Sequence, residues 1–410
     1  MSQASNATVL EKQLLDDYQT GDFFLASPTR TLLGKGSFVQ VPNEKEPASQ
    51  RAGLSGRVLA VLENAKGQGH SKPLVVGAIP FDERKKVRLI VPERIKVAAP
   101  LQIPSVTVLK PSLAAAYTIA FVPEPALYIR GVEQGLHYIH TGRLRKIVLS
   151  RTLQLTSPVP VDVRQLLRNL AQHNMLGYTF AVDLSGQDSD EAGADGSVSS
   201  GRTLIGASPE LLVSRIGAHL TANPLAGSRP RSNDAAEDQR LAAELLSSAK
   251  DLHEHEVVVR AVVAALQPYC RRLDVPDKPT LIHTETMWHL STTIKGEIAN
   301  PATSALDLAI ALHPTPAVCG SPTEAAREAI REIEPFDRGF FAGMVGWCDA
   351  QGDGEWAVTI RCAEVEPHSL RLFAGAGVVE GSSPEAELAE TAAKFRTMLM
   401  AMGLNKELME

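Results

Sequence analysis

The sequence predicts an α+β protein built from large antiparallel sheets packed together, with helices on the outside. Three observations carry this. Apolar strand-like runs follow one another through short turns, as in Gly343–Cys348, Trp356–Val365 and Leu370–Val379, which reads as an antiparallel meander. Helical stretches fall between blocks of strands instead of alternating with single strands. The glycine pair Gly375-x-Gly377 is not GxGxxG and lacks a helix at the right spacing, which argues against a doubly wound dinucleotide fold.

Taken in order, residues 8–20 read as a short amphipathic helix, and 22–41 hold the first strands. Leu54 to Lys66 is helical and ends at Gly67-Gln-Gly69, and the strand Leu74–Phe81 stops at Pro80. Residues 100–123, interrupted by prolines, connect two halves. A helix over 124–142 precedes the strand Arg145–Leu155. Its alternation puts Ile147, Leu149, Leu153 and Leu155 on one face and Lys146, Val148, Ser150 and Thr152 on the other. After a helix over 161–173 and the strand Tyr178–Leu184, the acidic low-complexity run 186–201 reads as a flexible hairpin insert.

The strands Thr203–Ala207 and Glu210–Ile216 flank Ser208-Pro209, and Asn223–Arg231 reads as a loop rich in turn residues. Ala235–Leu266 carries the longest helical signal, with Leu245, Leu252, Val259 and Leu266 as its buried stripe. Helical geometry sets Glu254 about 200° from Leu252, off that stripe. Residues 279–297 form a strand pair around Trp288-His289, His313–Gly320 is a rigid loop, and Glu324–Ile333 is a helix. Ser383 and Pro384 suit the start of a last helix running to Met402. Its Glu387 and Glu390 share one side and could hold a hard cation or simply complement the helix dipole.

With 410 residues the chain can bury a large core, and 44% apolar with 21% charged residues is ordinary for a globular protein. A net charge of -6 without a long basic run argues against nucleic-acid binding, so an anionic ligand needs a local positive site. Cys270, Cys319, Cys348 and Cys362 lack metal-site spacing and fit reduced thiols. No signal peptide and no apolar run of about 18 residues is present, which predicts a soluble cytoplasmic protein without membrane contact. No heptad seam calls for assembly, which predicts a monomer.

Several stretches together resemble one family. Ile205-Gly-Ala-Ser-Pro-Glu-Leu-Leu212, Pro224-Leu-Ala-Gly-Ser-Arg229, Lys250-Asp-Leu-His-Glu-His-Glu256, His313-Pro-Thr-Pro-Ala317, Thr359-Ile-Arg-Cys-Ala363 and Phe373–Val379 occur in this order in chorismate-utilising enzymes. Val76–Asp82, Glu334-Pro-Phe-Asp337 and Gly346-Trp-Cys348 resemble the siderophore-type isochorismate synthases among them. The resemblance covers roughly residues 20–402. It implies a single domain of two packed halves with the substrate cleft between them, converting chorismate to isochorismate with Mg²⁺.

The resemblance also implies roles. Water adds at C2 of chorismate while the C4 hydroxyl leaves, which requires a base and an acid on opposite sides. Lys146 takes the place of the base, which must be neutral to act, and Glu210 that of the acid, which must be protonated. Glu254 and Glu390 resemble the Mg²⁺ ligands, with Glu387 a third, direct or through water. Arg361 resembles the clamp on the enolpyruvyl carboxylate, and its forked donors suit that task. Backbone amides at Gly227, Ser228 and Gly375 would meet substrate carboxylates. His289 resembles a histidine lining the ring pocket, although a core histidine bonded to backbone fits the local pattern as well.

Within the family, Ala226 stands where the aminodeoxychorismate branch carries lysine, and Lys146 argues against anthranilate synthase. Ala317 and Val318 fit the isochorismate-releasing type better than salicylate synthases, which go on to expel pyruvate. A chorismate-binding protein without catalysis is the reading from another class. Lys146, Glu210, Glu254 and Glu390 speak against it, because a pure binder needs no acid–base pair.

Overall fold

The computed structural model describes residues 11–44, 49–103, 117–185 and 201–404. The predicted insert at 186–201 therefore lies outside the described residues except for Gly201, and the predicted first helix is seen over 11–17. Two large sheets, of ten and nine strands among the described residues, and a third of three strands make up the β structure. Every strand pair described is antiparallel.

Side-chain alternation sorts residues between two cores. In Phe23–Ala26, Phe23 and Leu25 join the main core, which also takes Val75, Val213, Trp347 and Trp356 from the nine-stranded sheet. Phe24 and Ala26 face the other way, into a second core. Helices close that second core through Leu14 and Leu15 near the N-terminus, Leu166 and Leu170 of Val163–His173, and Phe395 and Met398 of Pro384–Ala401. The ten-stranded sheet is thus buried on both faces, which explains why Lys146–Thr156 reads as a continuous buried run.

The expected meander is corrected. Met344–Asp349 and Gly354–Val358 form one hairpin in the nine-stranded sheet, whereas Cys362–Glu366 and Ser369–Val378 form another in the ten-stranded sheet. The chain crosses between sheets at 359–361, where Arg361 adopts φ +51°, a left-handed conformation uncommon for a side-chain-bearing residue. Thr203–Ser208 and Leu211–Ile216 likewise belong to different sheets, so Pro209-Glu210 is a second crossing. The two crossings are tied together, with Ala207 N donating to the Arg361 carbonyl at 3.0 Å and Val358 N to the Glu210 carbonyl at 3.1 Å.

The single long helix is corrected too. Ser248 is extended (φ −71°, ψ 111°), ending Ala235–Ser247 and capping Ala249–Leu266 through its hydroxyl, which accepts from Asp251 N. The restart shifts the buried face to Asp251, Glu254, His255, Val258, Val262 and Leu266. Glu254 is therefore buried, and Leu252 and Val259 are only half-buried. The predicted strand pair at 279–297 is three strands. Thr280–His283 and Met287–Ser291 join Leu225–Pro230, expected as a loop, in the small sheet, and Ile294–Ile298 joins the nine-stranded one. Residues 118–122, expected as connector, form a strand on Lys146–Thr156.

Candidate active site

The two crossings open a cavity of about 60 Å³ between the sheets. Glu210, Gly227, Ser228, Glu254, His289, Ala317, Val318, Arg361, Gly375 and Glu390 all line it. Lys146 lies directly behind that wall: it is fully buried, and its Nζ donates to Glu254 Oε1 at 2.7 Å. Of the residues singled out in the sequence, only Glu387 neither lines the cavity nor contacts Glu254, and it sits one turn before Glu390. A wider cleft of about 680 Å³ on the far side of Pro209 contains none of these residues.

Each position follows from local structure. Cys362–Glu366 covers Ser369–Val378 only as far as Leu372, because its chain has just crossed between sheets. The following residues keep their pairing to Lys146–Thr156 but present a free edge to the cavity, lined by Phe373, Ala374, Gly375 and Gly377. Glycine at 377 leaves room for this pair: a Cβ there would lie 2.1 Å from Glu254 Oε1 and 3.2 Å from Lys146 Cε, so a side chain would displace the carboxylate. In Leu225–Pro230 the register slips between Leu225 and Ser228, and Gly227 turns with φ +78°. His255 holds this bulge, its Nδ1 donating to the Ala226 carbonyl at 3.1 Å while its Nε2 lies 2.7 Å from Thr292 Oγ1.

The electrostatics are uneven around the cavity. Burial pushes the Glu210 carboxyl up to about 7, outweighing the Leu225 amide and the positive charges of Lys146 and Arg361. Burial, then Arg361 and Lys394, hold the His289 imidazole well below its usual value and therefore neutral. Its Nε2 has no hydrogen-bond partner. Arg361 is 5% exposed, and its Nε and Nη2 are likewise without partners. Burial lowers this guanidinium to about 10, so it stays charged at neutral pH. A buried, unsatisfied cation on a cavity wall is costly unless an anion meets it.

The carboxylates carry the opposite charge. Lys250 donates to Glu387 Oε1 at 2.7 Å, and Lys394 pairs with Glu390 at 2.5 Å while donating to the Gly375 carbonyl at 2.8 Å. Ser228 Oγ donates to Glu390 Oε1 at 3.1 Å. Burial and then Glu390 raise the Glu387 carboxyl, whereas Lys394 and Lys250 bring Glu390 down against its own burial. Among the described residues no three His, Cys, Asp or Glu side chains converge on one point. The set still fits Mg²⁺, which takes one or two carboxylates and completes its shell with water and substrate oxygens. Glu387 Oε2, buried and without a hydrogen-bond partner, is a further hard donor beside Glu390.

Residues 105–403 match the model of the chorismate binding enzyme family. The chain belongs to this family. Among its relatives, this family member is 62% identical to isochorismate synthase DhbC of Bacillus subtilis over 96% of both chains. It is 44% identical to the vibriobactin-specific isochorismate synthase of Vibrio cholerae, over 97% of this chain and 95% of that one. The crystal structure of DhbC from Bacillus anthracis superposes with a TM-score of 0.89 at 56% identity, covering 96% of this chain and all of that one. MenF of Escherichia coli, at 23% identity and a TM-score of 0.76 over 95% of this chain and 90% of that one, shares the fold.

Sequence reasoning missed Lys394, a cavity residue that ties Glu390 to the Gly375 carbonyl. Its i,i+4 spacing from Glu390 was the available signal. It also left Phe341 unassigned, which stacks on Phe373 with ring centroids 5.1 Å apart and lines the same cavity.

Proposed function

We propose that this family member is an isochorismate synthase: it adds water at C2 of chorismate and expels the C4 hydroxyl, with Mg²⁺ as cofactor. The observation that carries this reading is the pairing of a buried lysine with a raised carboxylic acid around one cavity. Glu210, lifted to about 7, is protonated over much of the neutral range and can give its proton to the departing hydroxyl. Lys146, behind the wall formed by Glu254 and Gly377, is the group that would take a proton from the attacking water.

Arg361, with two unpaired donors, would take one substrate carboxylate as a fork. The free edge at Gly375 and the bulge at Gly227 and Ser228 let backbone approach the anion without side-chain bulk. Glu254 and Glu390, with Glu387 behind them, would hold Mg²⁺. The ion would supply charge neutralisation at the ring carboxylate. Neutral His289 would line the ring without adding charge. The relatives named isochorismate synthase, one of them vibriobactin-specific, support siderophore biosynthesis as the destination.

The test is chromatography of products from chorismate, with and without Mg²⁺. Isochorismate in the presence of Mg²⁺ and none with chelator is the expected result. Salicylate with pyruvate would point to a salicylate synthase, and unchanged chorismate to a binding protein.

A further inference from the structure

The strand carrying Lys146 has an interrupted neighbour. On one edge, Gly320-Ser321 pairs with Ile147 and Lys146, and Val148 N donates to the Cys319 carbonyl at 2.8 Å. The next strand on that edge, Thr118–Val122, begins its pairing at Thr152. Between them the Val148 carbonyl and the Ser150 amide lack a backbone partner from either segment. Left unmade inside the protein, each would carry a desolvation cost of about 1–3 kcal/mol.

Two side chains fill the gap. Glu334 Oε1 accepts from Ser150 N at 2.7 Å, and Arg338 Nη2 donates to the Val148 carbonyl at 2.8 Å. The pair is bonded to itself, Nε to Glu334 Oε2 at 2.8 Å and Nη2 to Oε1 at 2.6 Å. Arg338 Nη1 also donates to the Val318 carbonyl at 2.7 Å, which reaches the loop carrying Ala317 and Val318 in the cavity wall. Arg338 is 4% exposed and Glu334 8%. Phe81 covers the guanidinium, its ring centroid 4.6 Å from Cζ. The motifs Val76–Asp82 and Glu334–Asp337, which no substrate role absorbs, meet here: Phe81 N donates to the Gly339 carbonyl.

We propose that Arg338 and Glu334 are positioning residues that replace a missing stretch of β-strand and hold the Lys146 strand in fixed relation to the Ala317–Val318 loop. The gap needs one donor and one acceptor side by side, and an ion pair supplies both. A guanidinium is needed because Arg338 makes four hydrogen bonds, two to the Glu334 carboxylate and one each to the Val318 and Val148 carbonyls, one more than the three donors of a lysine can supply. This inference rests on the function proposed above only for its kinetic readout.

The test combines turnover with hydrogen exchange of the segment 147–152, which needs no substrate. In Arg338→Ala, kcat falls about a hundredfold, the loss expected when a reacting group is displaced by about 1 Å, while KM moves less. Added methylguanidinium restores part of kcat, and exchange at 147–152 is faster than in the wild type. In Glu334→Gln, kcat falls and the same segment exchanges faster. Should Arg338→Ala not fold, Glu334→Gln decides. A folded variant with wild-type kcat and wild-type exchange overturns the proposal. Faster exchange in the variants of a wild-type chain that makes no isochorismate leaves the clasp standing and removes the function instead.

Discussion

Lys146 Nζ and Glu254 Oε1 lie 2.7 Å apart in a buried pair whose members are 108 residues apart in the chain. Gly377 leaves room for the contact between the strand that bears Lys146 and the helix restarted by Ser248. Removing one partner strands the other charge in a poorly solvated place. Lys146→Met is expected to lose about 3–5 kcal/mol of stability, and Lys146→Met with Glu254→Leu to regain part of it. Urea unfolding of the two variants checks this, and equal stability of single and double variants would refute it. Turnover is abolished in both.

Gly377→Ala tests the same contact from the other side. A methyl at 2.1 Å from Glu254 Oε1 must push the carboxylate away. We expect kcat/KM to fall about a hundredfold, measured by the rate of isochorismate formation, in a protein that still folds.

Glu210 predicts a pH dependence. Its folded value of about 7 lies above the ordinary 4.5, so the acid form is present below about 7 and lost above it. As the proton donor, it makes kcat/KM fall about tenfold per pH unit on the alkaline side. Its contribution to stability runs the same way, retained below pH 4.5 and lost as pH rises through about 7. Glu210→Gln should therefore be inactive, equal to the wild type in melting temperature at pH 4.5, and more stable at pH 8. A wild-type melting temperature at both pH values would count against the raised carboxyl.

Arg361 separates function from stability. Its Nε and Nη2 are buried without partners, so Arg361→Met removes an unsatisfied charge. The variant should melt no lower than the wild type, while kcat/KM drops about a hundredfold for loss of charged hydrogen bonds worth about 3 kcal/mol. A lower melting temperature with unchanged kinetics would assign Arg361 a structural role.

The sequence alone determined a good deal here. Ordered motifs carried the family, and short turns between apolar runs carried antiparallel pairing. These are local properties, set by side-chain type and spacing within about ten residues. What it could not settle was which sheet each strand joins. In one dimension Ser208-Pro209 reads as a break between neighbouring strands and 359–361 as strand interior, yet both are crossings, and the crossings put Glu210 and Arg361 on the cavity wall. The helical frame around Glu254 depended on a single capping hydroxyl at Ser248, which a seven-residue repeat does not register. Lys394 and the Glu334–Arg338 pair took their roles from backbone groups on other strands. Unmet hydrogen bonds of this kind exist only once the sheets have closed, so tertiary structure alone decided who answers them.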